Sequence, residues 1–600
     1  MSIPRPEYPR PQFTRSRWLN LNGPWQFEVD QGDSGHQRGL LHRELSDMIL
    51  VPFCPESSLS GVEHVDFLHA VWYRRTVDIP ADWAGSRVLL HFGAVDYDAT
   101  VWVNGREVAR HRGGFTPFSC DLGGIASPGE SATIVVRARE PHGEGRPGGK
   151  QSNFHYHNAG CDYTRTTGIW QTVWMEPVPE AHLLRPRITP VLASGAFSIE
   201  QPIAGPRSAG MSLRLALRDA AGVAVQALVP VDPDLTPVAQ LVLPPDRVRL
   251  WEPGAPHLYD LDLALLGEGG QVIDQVSSYA GLRAVTVRGP AVWINGKPVF
   301  QRLVLDQGFY PDGIMTASSD AALVADIELA LAAGFNGARL HQKVFEERFL
   351  YHADRLGYLV WGEFGDWGFR NGHLRDARAH QSAGTMMTQW LEALERDYSH
   401  PSIIGWCPLN ESAERIEDGI LTLDDLTRGL FLATKAADRT RPVLDASGYS
   451  HRVAEADVYD CHDYDQDPVR FTARHQALAE GKAFLNGPAD HPWSIPWHRQ
   501  PFFVSEFGGI WWNPDPEVQN SWGYGDRPQD IEAFYTRFAG LCQGQLRNSH
   551  LFGYCYTQLT DVFQEQNGIY FFDRRPKFDT DRLAAIQGER AAIEHGDDIG

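Results

Sequence analysis

Ile403-Ile404-Gly405-Trp406-Cys407-Pro408-Leu409-Asn410-Glu411 and Phe502-Phe503-Val504-Ser505-Glu506-Phe507-Gly508-Gly509 are two apolar runs that each meet a glutamate at their C-terminal end. An apolar run of this length reads as a strand buried on both faces, the kind found in parallel sheets. A carboxylate at the end of such a strand costs free energy unless it is paired or used. In a (β/α)₈ barrel, catalysis sits at the C-terminal ends of the strands. Two carboxylates facing each other across such a mouth are the apparatus of glycosidic bond cleavage.

Working outward, the same rhythm extends from residue 286 to residue 600. Strand-like runs near 299–305, 335–340, 358–363, 403–409, 442–446, 458–464, 501–506 and 551–557 alternate with helical patterns such as 320–333, 384–398, 423–438 and 529–546. Eight strands with intervening helices predict a TIM barrel over 286–600. The connection from the fifth strand to the sixth is too short for a full helix, so that unit is expected to be irregular. Upstream the pattern is β throughout. Trp25, Phe27 and Val29 alternate with polar neighbours, and Asn104-Gly105 separates two strand-like segments as a hairpin turn does. Residues 1–180 therefore read as a jelly-roll β-sandwich. Residues 181–285, with Leu213, Leu215 and Leu217 alternating, read as a smaller immunoglobulin-like β-sandwich.

Composition removes several functions. The 54 basic and 76 acidic side chains give a net charge of −22, which disfavours a polyanion-binding surface. No basic cluster interleaves with aromatic residues, so nucleic acid is not an expected partner. No segment is apolar for long enough to cross a bilayer, and Met1-Ser2-Ile3-Pro4-Arg5-Pro6 lacks the apolar core of a signal peptide. These features predict a cytoplasmic protein with no membrane partner. The seven cysteines show no paired spacing, and Cys407, Cys461 and Cys555, in apolar strand-like runs, read as small buried hydrophobes. The 18 tryptophans suit sugar stacking and sandwich cores equally. The sequence leaves a homo-oligomer open.

In domain order and motifs, the chain resembles glycoside hydrolase family 2, which includes β-galactosidases, β-glucuronidases and β-mannosidases. The resemblance rests on Leu21-Asn22-Gly23-Pro24-Trp25-Gln26-Phe27 and Thr167-Gly168-Ile169-Trp170-Gln171-Thr172-Val173-Trp174 in the first unit. It continues in Leu250-Trp251-Glu252-Pro253 and Gly281-Leu282-Arg283 in the second, then in Asn410-Glu411 and Glu506-Phe507-Gly508 in the barrel. It implies that Glu411 is the acid/base, that Glu506 is the nucleophile and that Asn410 binds the sugar 2-OH. Arg339 matches the second-strand arginine that keeps the nucleophile ionised. His462 and Tyr464 match a polar residue and a tyrosine set against the sugar and the nucleophile. Asp162 matches an aspartate that the first domain brings to the sugar hydroxyls.

The sequence also departs from the family. The β-glucuronidases grip the substrate carboxylate with Asn-x-Lys just before Gly-Ile, whereas here Glu565-Gln566-Asn567 precede Gly568-Ile569. Phe364-Gly365-Asp366-Trp367-Gly368-Phe369 offers no Glu–His pair for a divalent ion, so neither a catalytic metal nor another cofactor is expected. The second strand leads into His341-Gln342-Lys343, and the eighth reads Tyr554-Cys555-Tyr556-Thr557-Gln558, with Gln342 and Tyr556 as candidate sugar contacts. The leading expectation is an exo-acting, retaining β-glycosidase for a neutral terminal sugar, β-galactosidase-like. A β-galactofuranosidase, a transglycosylase and a non-catalytic carbohydrate-binding protein are the alternatives.

Overall fold

The computed structural model describes residues 3–142, 145–152, 156–367, 377–514 and 520–595. The first unit packs a four-stranded antiparallel sheet on a six-stranded one. Trp25, Phe27, Tyr73, Leu90, Phe92 and Val101 are buried between them. Asn104 and Gly105 both take positive φ, 51° and 76°, between Asp98–Val103 and Arg106–Arg112. A two-residue hairpin turn of this type requires positive φ at both residues, and Asn-Gly meets the requirement at little cost. The second unit is a three-stranded sheet against a four-stranded one. Leu213, Leu215 and Leu217 point inward on Ser212–Asp219, as their alternation predicts.

The third unit is a parallel barrel. Its strands are Gln301–Asp306, Gly337–Leu340, Leu359–Glu363, Ile403–Cys407, Tyr459–Asp463, Phe502–Phe507 and Leu551–Tyr556. They are the first to fourth and sixth to eighth barrel strands, all in one sheet. Helices Asp320–Ala332, Ala377–Asp397, Thr422–Ala437 and Ile531–Leu546 lie where the sequence predicts them.

The fifth position differs from the reading of 442–446 as a strand. The segment runs beside the fourth strand through single bridges, Trp406 to Val443 and Asn410 to Ser447. Pro442 lacks an N–H for a ladder. On the other side the gap to the sixth strand is closed by the Asp460 side chain. That carboxylate accepts from the Gly448 N–H at 2.9 Å and the Ser447 hydroxyl at 2.8 Å, and lies 3.0 Å from His451 Nε2.

Both sandwiches are fastened to the barrel by the motif residues. Trp170 is fully buried in the barrel's apolar cluster, and its carbonyl accepts from Thr316 at 2.6 Å. Arg283 is buried and donates to the carbonyls of Pro401 and Ile403 at 2.8 and 2.6 Å, which anchors the start of the fourth strand. No helix among the described residues is long and apolar enough to cross a membrane.

Candidate active site

Glu411 and Glu506 meet at the C-terminal mouth of the barrel. One oxygen of each, with one ring nitrogen of His462, lies within 4.8 Å of the others. Glu506 is buried at the end of the seventh strand. Its Oε1 lies 3.2 Å from Arg339 Nη1, and its Oε2 accepts from the Tyr464 hydroxyl at 2.5 Å. Tyr464 stacks on Tyr524 with ring centroids 3.4 Å apart. Burial, then the charge of Glu506, raise the Tyr464 pKa well above the ordinary tyrosine value, so the phenol remains a donor.

Arg339 is completely buried and fully used. It donates to Glu363 at 2.7 and 2.9 Å, to the Ser505 carbonyl at 2.7 Å and to Asn410 Oδ1 at 2.9 Å. Burial opposes its charge, but Glu363 and Glu506 outweigh burial and keep the guanidinium charged. Asn410 thus has its oxygen fixed, while its Nδ2 is buried with no partner among the described residues. An unmet buried donor is costly, and a bound ligand that accepts from it would remove the cost.

Glu411 stands beyond the fourth strand with φ of 54°, a left-handed conformation that costs a non-glycine residue about 1 kcal/mol. The Ser447 carbonyl accepts from its N–H at 3.0 Å. Its Oε1 lies 2.7 Å from His462 Nδ1, which also approaches Glu506 at 3.4 Å. The other ring nitrogen of His462 lies 3.0 Å from the Ser447 hydroxyl, which is itself donated to Asp460. Both ring nitrogens therefore serve as donors. Burial lowers the His462 pKa, but Glu506 and Glu411 more than reverse this and raise it. A Cβ on Gly448 would come within 2.6 Å of this ring, at φ of 76°, so only glycine fits there. The trio of Glu411, His462 and Glu506 has the composition of a metal site. Glu411 and His462 lie within hydrogen-bond distance of each other, at 2.7 Å.

The other sequence-predicted residues are placed unequally. Gln342 has its amide nitrogen on Asp366 and accepts from the Trp367 N–H at 2.9 Å, so it braces the loop after the third strand instead of facing a sugar. Tyr556 faces away from the mouth. Its ring packs against Phe507 and Phe538, and its hydroxyl accepts from the Ile510 N–H at 3.3 Å. Its neighbour Thr557 is the residue that turns inward, with its hydroxyl 3.0 Å from that of Tyr464. His462 is occupied by the two carboxylates and Ser447, not exposed for a sugar hydroxyl. Asp162 is half-buried in a loop of the first sandwich that lies on the barrel. Gln564 donates to the carbonyls of Gly160 and Asp162 at 2.8 and 3.3 Å, and Trp522 donates to that of Gly160 at 2.9 Å.

Four residues at the mouth escaped the sequence reading. Glu363 ends the third strand as Glu506 nearly ends the seventh, and that shared position was the available signal. His341 Nδ1 lies 2.9 Å from Glu363. Tyr524 and Lys150 come from loops with no periodic pattern to mark them. Glu565, in the stretch where the β-glucuronidases carry Asn-x-Lys, is buried and accepts from Tyr163 and, at 3.1 Å, from Asn567.

The comparisons with known proteins follow this architecture unit by unit. The model "Glycosyl hydrolases family 2, sugar binding domain" matches residues 62–175, "Glycosyl hydrolases family 2" matches 181–283, and the family's TIM barrel domain model matches 285–508. The β-glucuronidase of Paenibacillus borealis is 28% identical over 431 residues, 68% of this chain and 69% of that protein. The β-galactosidase of Thermoanaerobacter pseudethanolicus is 25% identical over 366 residues, 58% of this chain and 46% of that one. The β-D-glucuronidase of Dictyoglomus thermophilum shares the fold, with a TM-score of 0.76 over 97% of this chain and 98% of that chain at 20% identity. With all three units matched in order, and a carboxylate pair at the mouth of the third, the chain belongs to glycosyl hydrolase family 2 and is a glycoside hydrolase.

Proposed function

We propose that the enzyme is an exo-acting β-glycosidase that retains anomeric configuration, with Glu506 as nucleophile and Glu411 as acid/base. The observation that carries this reading is the spacing of the pair. Oxygens of Glu411 and Glu506 lie within 4.8 Å of each other. Retaining enzymes hold their carboxyl groups about 5–5.5 Å apart, and inverting ones leave about 6.5–9.5 Å for a water. Arg339 and Tyr464 fix both oxygens of Glu506, which aligns one of them for attack on the anomeric carbon. Glu411 protonates the leaving oxygen, then takes a proton from the water that releases the sugar. The unmet Nδ2 of Asn410 suits the sugar 2-OH. Asp162, on the docked loop, is assigned to a sugar hydroxyl.

A neutral glycone, β-galactoside-like, is the preferred substrate, with a β-galactofuranoside next. The support is the absence of the barrel lysine of Asn-x-Lys, since Glu565-Gln566-Asn567 precede Gly568-Ile569. The relatives named β-glucuronidase make a glucuronide the reading to exclude.

Azide tests the roles. Glu411→Ala with azide should give the β-glycosyl azide at a restored rate, whereas Glu506→Ala should give the α-azide or nothing. Products of the reverse configuration would exchange the two residues. Ranking kcat/KM for aryl β-D-galactopyranoside, β-D-galactofuranoside and β-D-glucuronide tests the glycone, and glucuronide in first place would remove the neutral reading.

A further inference from the structure

Lys150 is a buried cation without a counterpart among the described residues. It is 6% exposed, and its ammonium makes no hydrogen bond or ion pair with any described residue. Other buried lysines of the chain behave differently. Lys343 donates to the carbonyls of Gly308 and Met315 at 2.6 and 2.8 Å, and Lys577 pairs with Asp561 at 2.8 Å. Lys150 instead stands between two aromatic rings, 5.0 Å from the centroid of Trp367 and 5.8 Å from that of Tyr163. Burial opposes its charge. The charges of Glu565, Cys161, Glu506 and Glu411 outweigh burial and hold its pKa above the ordinary lysine value. It therefore lies within electrostatic reach of both members of the carboxylate pair, on the side bounded by the first sandwich.

The backbone that carries Lys150 is held against the barrel. The Gly148 N–H donates to the Trp367 carbonyl at 2.9 Å, and the Gly149 N–H to that of Gly365 at 3.1 Å. A Cβ on Gly149 would meet the Gln342 carbonyl at 2.1 Å, with φ already at 63°, so no other residue permits this approach. On the far side, the Tyr163 N–H donates to the Lys150 carbonyl at 2.8 Å, and Gln151 donates to Asp96 at 2.7 Å. The lysine is fixed in position before any ligand arrives, and its three N–H donors have no acceptor among the described residues.

We propose that Lys150 is a glycone-binding residue, whose ammonium donates to oxygens of the sugar seated over Glu411 and Glu506. A counter-ion for Glu565 would have closed to ion-pair distance. Instead the oxygens of Glu565 are engaged by Tyr163 and Asn567. Among the described residues no acceptor is left for Lys150, and a bound sugar supplies one. Hydroxyl oxygens of a neutral sugar satisfy it without adding a further negative charge beside Glu411, Glu506 and Glu565. The inference rests on reading the site as that of a β-glycosidase.

The test is Lys150→Met in the full-length chain, which keeps the stem and removes the charge. On whichever of the three aryl glycosides the wild type cleaves best, kcat/KM should fall about 10- to 100-fold, the effect of losing hydrogen bonds from a charged donor. The melting temperature should stay unchanged. Monodeoxy versions of that glycoside supply a readout that a purely structural role would not move. The deoxygenation that harms the wild type most should do no further harm in Lys150→Met. Calorimetric binding of the matching iminosugar gives the same comparison without turnover and should weaken about tenfold or more. Unchanged iminosugar affinity, or deoxy losses that add in full to the loss in the variant, would overturn the proposal. If glucuronide proves the best substrate and the variant loses it, the neutral reading fails and Lys150 remains a glycone residue.

Discussion

The end of the seventh barrel strand and the loop beyond the fourth hold their carboxylates differently. Glu506 has a side chain only 5% exposed, with one oxygen facing Arg339 and the other Tyr464. Glu411 is 15% exposed, sits in a left-handed backbone position and has His462 beside it. The difference matches two kinds of work. A nucleophile attacks once per turnover along one line, so a fixed geometry serves it. An acid/base must lose a proton and regain one from water, so it needs access and a partner that tolerates both states. The contrast can be tested in four ways, from the largest effect to the smallest.

Glu506→Gln should lower kcat on the order of 10⁴- to 10⁶-fold for every leaving group, as removal of a nucleophile does. Glu411→Gln should cost about 10²- to 10⁴-fold with a poor leaving group and far less with an acidic phenol, which departs without a proton. Steady-state rates on a series of aryl glycosides measure both. Equal losses regardless of leaving group would mean that the two positions do not divide the labour.

The gap between the fifth segment and the sixth strand is spanned by Asp445, His451 and Asp460, with His451 2.8 Å from Asp445 and 3.0 Å from Asp460. Burial works against the charge of His451, yet Asp445 and Asp460 raise its pKa to about 10. A raised base contributes stability in full below its unfolded pKa of about 6.5 and loses it as pH rises toward the folded value. His451→Asn should cost about 3–5 kcal/mol at neutral pH, because it leaves two buried aspartates without their cation. Urea unfolding at several pH values should show the wild type losing stability from pH 6.5 to pH 10 and the variant nearly flat. The same alkaline loss in both would place the titration elsewhere.

His462→Asn should spare the fold and move the pH–rate profile. Removing a cation beside a carboxyl group favours its protonated form, so the alkaline limb of kcat/KM should shift upward by on the order of one unit. An unmoved limb would leave His462 only the role of a spacer. Tyr556→Phe should be the mildest change. It should lower stability by about 0.5–1.5 kcal/mol through the lost contact to Ile510 and leave kcat/KM unaltered.

Tyr556 also shows where sequence reading reaches its limit. Successive side chains on a strand face opposite ways, and an error of one residue turns the intended set outward. The run Tyr554-Cys555-Tyr556-Thr557 is apolar enough on both faces that composition does not give its phase. The structure places Tyr554 and Tyr556 against the helices and Thr557 in the mouth. Glu411 and Glu506 were legible because a carboxylate ending an apolar run contradicts its surroundings. Gln342 lies just past a strand, where direction depends on a left-handed turn, φ 56°, that no periodicity encodes. The fifth strand is irregular because Pro442 and the buried Asp445 serve local needs that the eightfold rhythm does not contain. Lys150 was hidden by distance, since a glycine-rich loop reads as a linker until the barrel it touches is in place.

The contact between Gly149 and the carbonyl of Gln342 has a consequence for how such enzymes diversify. The residues proposed for the chemistry lie after 300, while one wall of the chamber is written before 170. These two texts can be edited separately. Exchanging residues 145–165 between family members would alter what the chamber admits while leaving the machinery that cuts the bond untouched, provided that both glycines travel with the segment.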